Sequence, residues 1–118
     1  MNDRDELRLR HMRDAAANAL HFAEGTQRIN IEEDLLLAYA IIHAIQIIGE
    51  AASQITTETQ SHHPEIEWQS IIGMRHRVVH GYDNINYGVV WQVLQEKLSP
   101  LIRQLDAILP PFVEDDET

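Results

Sequence analysis

The sequence predicts an all-α fold, an up-and-down four-helix bundle with a last helix kinked or split at Pro100. Two observations predict it. Apolar residues recur at spacings of three and four through four stretches, the pattern of amphipathic helices. Segments rich in Gly, Pro, Asn, Asp and His separate those stretches, where turns belong. With 118 residues, 44% of them apolar, there is material for one packed core and no room for a second. Residues 1–109 are read as that single domain and residues 110–118 as an acidic, disordered tail.

The first helix is expected from about residue 3 to 24. Leu7, Met12, Ala15, Ala16, Ala19, Leu20 and Ala23 form its inner line, Arg4, Arg8, Arg10 and Arg13 its outer face, and Gly25 its stop. Asn30 is a candidate N-cap for the second helix, with Glu32, Glu33 and Asp34 in a first turn where the helix dipole favours acids. That helix runs to about residue 56. It is apolar almost all round, which places it centrally or packs it on two sides and makes His43 a packing residue. Residues 57–65 are polar and read as a loop ending in His62-His63-Pro64.

A third helix is expected from Glu67 to about Gly81, with Trp68, Ile71, Ile72 and Val79 inward. Asp83-Asn84-Ile85-Asn86 is turn-forming. The fourth helix spans residues 87–108. Val90, Trp91, Leu94, Leu98, Leu101, Ile102, Leu105 and Ile108 face in, Pro100 interrupts it, and Pro110-Pro111 stops it.

Composition removes several function classes. There is no cysteine, so thiol catalysis, disulfides and Cys-ligated zinc are excluded. The charged N-terminus lacks the apolar segment of a signal peptide, and no apolar run approaches the roughly 20 residues of a membrane span. A cytoplasmic protein without a membrane partner is expected. A net charge of −10 argues against non-specific wrapping of nucleic acid but leaves room for a local basic site. Lys97 is the single lysine, so the cations are nearly all Arg, the better fork for phosphate.

That local site is Met74-Arg75-His76-Arg77-Val78-Val79-His80-Gly81-Tyr82. The spacing Arg-x4-His-x-Tyr supplies a fixed cation, a group that titrates near neutral pH, and a hydroxyl. If the helix continues to Gly81, His76 and His80 share a face and Arg75 lies within about 140° of both. Three readings compete. The residues can be a solvated helix end, where the dipole favours cations. His76 and His80 at i, i+4 can hold a metal, but no third ligand is evident and the arginines would repel a cation. Or the set works on phosphate: His moves protons on and off ribose and leaving oxygens while Arg stabilises charge on phosphorus. RNA brings its own nucleophile, so this last reading needs no metal and no cofactor, although one helix end offers one copy of each group. Glu50, in the apolar patch Ile47-Ile48-Gly49-Glu50-Ala51-Ala52, needs a partner, and Arg75 or Arg77 is the candidate.

Three segments resemble the HepT-like branch of the HEPN-domain proteins, the ribonuclease toxins of HepT–MntA type toxin–antitoxin pairs. Ile47-Ile48-Gly49-Glu50-Ala51-Ala52 is similar to the family's Ile-Gly-Glu-Ala signature. Trp68-Gln69-Ser70-Ile71-Ile72-Gly73-Met74-Arg75 is similar to its Trp-x-x-Ile-x-Gly-Met-Arg stretch. Arg75 through Tyr82 matches its Arg-x4-His-x-Tyr motif, and Val90-Trp91 follows where relatives carry a similar pair. The resemblance implies a homodimer whose two motifs form one composite site, and metal-independent RNA cleavage with Arg75 and His80 catalytic, His76 and Arg77 positioning substrate, and Glu50 behind them. It also implies a type II/VII-like pair with a minimal nucleotidyltransferase antitoxin that transfers AMP to Tyr82. The alternative is a non-catalytic nucleotide-binding module or nucleotidyltransferase partner. Two departures stand out: His76 occupies a position that is commonly Asn, and Ile41-Ile42-His43 replaces Arg or Glu found in many relatives.

Overall fold

A computed structural model describes residues 1–81 and 84–111. Tyr82, and the acidic tail beyond Pro111, lie outside the described residues. The fold is all-helical apart from one two-stranded hairpin. Helix α1 (Asp3–Phe22) starts where the Asn2 side chain accepts from the Asp5 amide. Its inward line is Asp5, Leu9, Met12, Ala16 and Ala19. Leu7, expected inside, sits about 200° round the helix from Leu9 and is 54% exposed.

Among the described residues, Asp5 is the one buried carboxylate. It accepts from the Thr56 amide at 3.2 Å and from the Thr56 and Thr59 hydroxyls at 2.6 Å each. Burial pushes its pKa up, but those hydrogen bonds and the Arg8 charge outweigh it and hold the carboxyl below its ordinary value. Arg8 also donates to the Gln54 carbonyl oxygen, so the start of α1 is tied to the chain near residue 55.

The region between residues 26 and 66 differs from expectation at two points. Asn30 is not the cap of the long helix. It lies inside a short helix, α2 (Arg28–Glu33), where its side chain accepts from the Gln27 amide. The long helix, α3 (Leu35–Ser53), is capped by Asp34, whose carboxylate accepts from Leu37. The polar stretch after it is also not all loop: Thr56 caps a short helix, α4 (Thr57–His62).

Helix α3 lies against α1, α2 and the two short helical segments at 68–72 and 74–78. It is 19 residues long and an 18-residue window of it has a mean hydropathy of 1.7, the length and apolarity of a membrane span. The sequence reading missed this, and the helix is partly buried in the core instead. His43 is exposed, not packed, as are Leu35, Leu36 and Tyr39.

The expected third helix is two. Gly73 separates α5 (Trp68–Ile72) from α6 (Met74–Val78). Trp68 is buried, and its indole donates to the carbonyl oxygens of Gln60 and His63. After α6 the chain forms an antiparallel hairpin, β1 (Val79–His80) with β2 (Asn84–Ile85), in register Val79↔Ile85 and His80↔Asn84.

Asn86 caps α7 (Tyr87–Gln92). A π turn (Val93–Lys97) joins it to α8 (Leu98–Ile108). Pro100 therefore does not split the helix at its own position. It lies in the first turn of α8, where a missing N–H costs least. The irregularity is one turn upstream, where the Leu98 amide reaches back to the Val93 carbonyl oxygen.

Candidate active site

Glycine sets the geometry. A Cβ on Gly49 would stand 3.3 Å from the carbonyl oxygens of both Ile71 and Ile72. Any larger residue would hold α3 away from the end of α5. The close crossing brings the C-terminal half of α3 beside the start of α6. Met74 and Val78, one turn apart, are buried and fix the face that α6 turns inward. Arg75 is left half-buried at the crossing, with His76 and Arg77 exposed.

An open groove results, lined by Gln46, Gly49, Glu50, Ser53, Ile72, Arg75 and His76. The structure thus brings together three of the sequence-predicted site residues: Arg75, His76 and Glu50. The expected ion pair from Glu50 to Arg75 or Arg77 is absent among the described residues. Glu50 is exposed and accepts from the Gln46 side chain at 3.1 Å. Exposure removes the need for a charged partner. The Arg75 guanidinium and the His76 ring have no side-chain partner among the described residues, so both are available to an anion.

Arg77 points elsewhere. Two residues along a helix is about 200° of rotation, and its guanidinium donates to the Ser70 carbonyl oxygen at 3.0 Å and to the Ser70 hydroxyl at 3.4 Å. It lines a second depression with Glu67, Glu96 and Lys97. The shared helical face expected for His76 and His80 is not formed either, because α6 ends at Val78. His80 is instead placed by strand alternation. Val79 is buried and pairs with Ile85, so the next side chain turns out to solvent. Gly81, at φ +75°, turns the chain back, and the Asn86 amide closes the segment on the Val78 carbonyl oxygen at 2.7 Å.

Sequence reading missed Gln46 and Ser53, which line the groove. Their signal was present: with Glu50 they recur at four and three residues on one face of α3. Among the described residues, no three or more His, Asp and Glu side chains gather as a metal-binding group. What the arrangement offers is a guanidinium, unpaired among the described residues, beside one imidazole, with a second imidazole on the following strand. That suits binding and proton transfer at a phosphodiester.

A small helical domain with these groups falls in the class of ribonucleases. A family model described as ribonuclease HepT-like matches residues 12–108, and the chain belongs to that family. A Thermococcus cleftensis protein named probable ribonuclease HepT is 33% identical over 89 residues, covering 72% of this chain and 81% of its own length. A protein of Caldanaerobacter subterraneus subsp. tengcongensis, whose name marks it as a candidate RNase, is 27% identical over 101 residues, covering 86% and 90%. A similarly named Methanocaldococcus jannaschii protein is 24% identical over 95 residues, covering 80% and 87%. No solved structure matches the chain.

Proposed function

We propose that this chain is a metal-independent endoribonuclease of the cytoplasm, the toxin of a type II/VII-like toxin–antitoxin pair, acting as a homodimer. The observation that carries the reading is Arg75, unpaired among the described residues, in the Gly49–Glu50 groove, with His80 exposed on β1, in a HepT-like chain. His80 takes the proton of a ribose 2′-hydroxyl. The 2′-oxygen attacks the adjacent phosphorus, the bond to the 5′-oxygen breaks, and a protonated imidazole returns a proton to that leaving oxygen. Arg75 stabilises the charge on the non-bridging oxygens. His76 positions the phosphate. A second copy supplies the second set of groups, which suits a site whose Arg75 and His80 do not line one groove within a single chain.

Regulation follows from the same charges. The partner is a minimal nucleotidyltransferase antitoxin. The Tyr82 hydroxyl attacks the α-phosphorus of ATP on that enzyme, pyrophosphate leaves, and AMP stays on the tyrosine. The added phosphate then competes with RNA for the site's cations.

The test is cleavage of RNA in excess chelator by the wild type and by His80→Ala. Activity in the wild type alone is expected. Equal activity in both, or activity that needs added metal, overturns the mechanism. The separation of His80 from the groove also favours a second reading, a non-catalytic nucleotide-binding or nucleotidyltransferase-partner module. Intact mass after mixing with that enzyme and ATP discriminates: Tyr82 labelling in a protein that cleaves no RNA supports the second.

A further inference from the structure

Among the described residues, one face of α3 has no neighbour. Leu36, Tyr39, His43, Gln46, Glu50 and Ser53 recur at alternating spacings of three and four, and all six fall within an arc of about 100°. Leu36 is 82% exposed and Tyr39 56%. The others are exposed, with Gln46 half-buried. This is the spacing of a two-helix seam.

The two halves of the face are complementary. The N-terminal half presents unpartnered apolar side chains, led by Leu36 and Tyr39. The C-terminal half is flanked by two open grooves that meet at Glu50. One holds Arg75 and His76; the other has an apolar floor that includes Leu7 and Ile47. A two-fold axis between His43 and Gln46 seats each half on the other. It sets Leu36 opposite the partner's Ser53, beside the Leu7–Ile47 groove, and Tyr39 opposite the partner's Glu50. The phenol can donate to that carboxylate. His43 meets the partner's Gln46 with the partner's Glu50 one turn away, so no like charges oppose.

We propose that a second copy docks antiparallel along this face, and that Tyr39 of each protomer closes the Arg75–His76 groove of the other. Among the described residues, no Phe, Tyr or Trp lines that groove within one chain. The partner's ring supplies a stacking face for an RNA base beside the phosphate-binding cations. This last step rests on the ribonuclease reading; the docking does not.

The chain has no cysteine, so introduced thiols are unambiguous. Leu36→Cys and Ser53→Cys proteins are refolded separately and together, then oxidised. A covalent dimer should form in the mixture and not in either protein alone, since two copies of residue 36 are separated by about 25 Å along the seam. No mixed dimer, or equal linkage in the single proteins, overturns the docking. Tyr39→Leu should keep the dimer and raise KM for RNA about tenfold, with a much smaller change in kcat. An unchanged KM overturns the role of the ring. A chain that cross-links in the mixture but cleaves no RNA overturns the ribonuclease reading and leaves the docking standing.

Discussion

The Arg77 guanidinium is bonded to the Ser70 carbonyl oxygen at 3.0 Å, and this bond holds it on the far side of α6 from Arg75. Two cations that look equivalent in the sequence therefore have different work. Arg75→Ala should lower kcat/KM for RNA by about 10²–10³-fold, the cost of losing one charge-stabilising donor. Arg77→Ala should leave kcat/KM within a few-fold and lower the melting temperature slightly. Steady-state kinetics and thermal melts of both variants check this; equal kinetic losses would return Arg77 to the site.

His80→Ala should lower kcat by about 10²–10⁴-fold, the range for general acid–base groups. Circular dichroism should stay native, because the side chain is exposed and makes no bond among the described residues. A variant that loses activity by unfolding would contradict the placement.

Gly49→Ala adds a methyl group 3.3 Å from two backbone carbonyl oxygens, which cannot swing aside as a side chain could. It should destabilise the protein by about 1–3 kcal/mol, and urea unfolding will show it. Activity should fall as well at temperatures where the protein remains folded, because the same crossing positions Arg75.

Asp5 couples stability to pH. Its folded pKa is lowered, so its contribution is full above the unfolded value of about 3.9 and is lost as pH falls through the lower folded value. Asp5→Asn should be less stable than the wild type at pH 7. The gap should narrow in acid below about pH 4, as measured by urea midpoints across pH. A gap that widens in acid would reverse the sign of this argument.

The Arg13–Asp106 pair, 2.8 Å apart with both side chains substantially exposed, offers a contrast. Replacing Arg13 by Ala should cost no more than about 1 kcal/mol. Loss of several kcal/mol in a thermal melt would show a larger role for this end of the molecule.

Much of this was legible before the structure. The apolar line of α8, that of α1 apart from Leu7, and the burial of Trp68 follow from residue spacing alone, because periodicity records which face a helix buries. The site's neighbourhood was legible too, since Gly49-Glu50 and Arg75-His76 each stand out in the sequence. Capping was harder. Asn30 and Asp34 are both good caps, and which one starts a helix depends on where the chain turns. Thr56 hides α4 in a polar stretch, because its hydroxyl shares its bonding between Asp5 and the first turn. The exit from α6 at Val78 was not legible: Val79-His80 continues a helical apolar pattern, and only pairing with Ile85 draws it out as a strand. Exposure of His43 was hidden for a related reason. A helix apolar all round gives no sign of which side lacks a neighbour.

The π turn ahead of α8 settles a question of counting. The buried side chains Val90, Leu94, Leu98, Leu101, Leu105 and Leu109 mark five repeats over 19 residues, whereas five turns of an α-helix take about 18. On a regular helix this surplus of about one residue would turn the last of the six about 100° away from the first. The wide turn at Val93–Lys97 absorbs the surplus, and everything after it stays in phase with the core. A single-residue deletion within those five positions should therefore be better tolerated than one two turns later, because it would convert an irregular helix into a regular one.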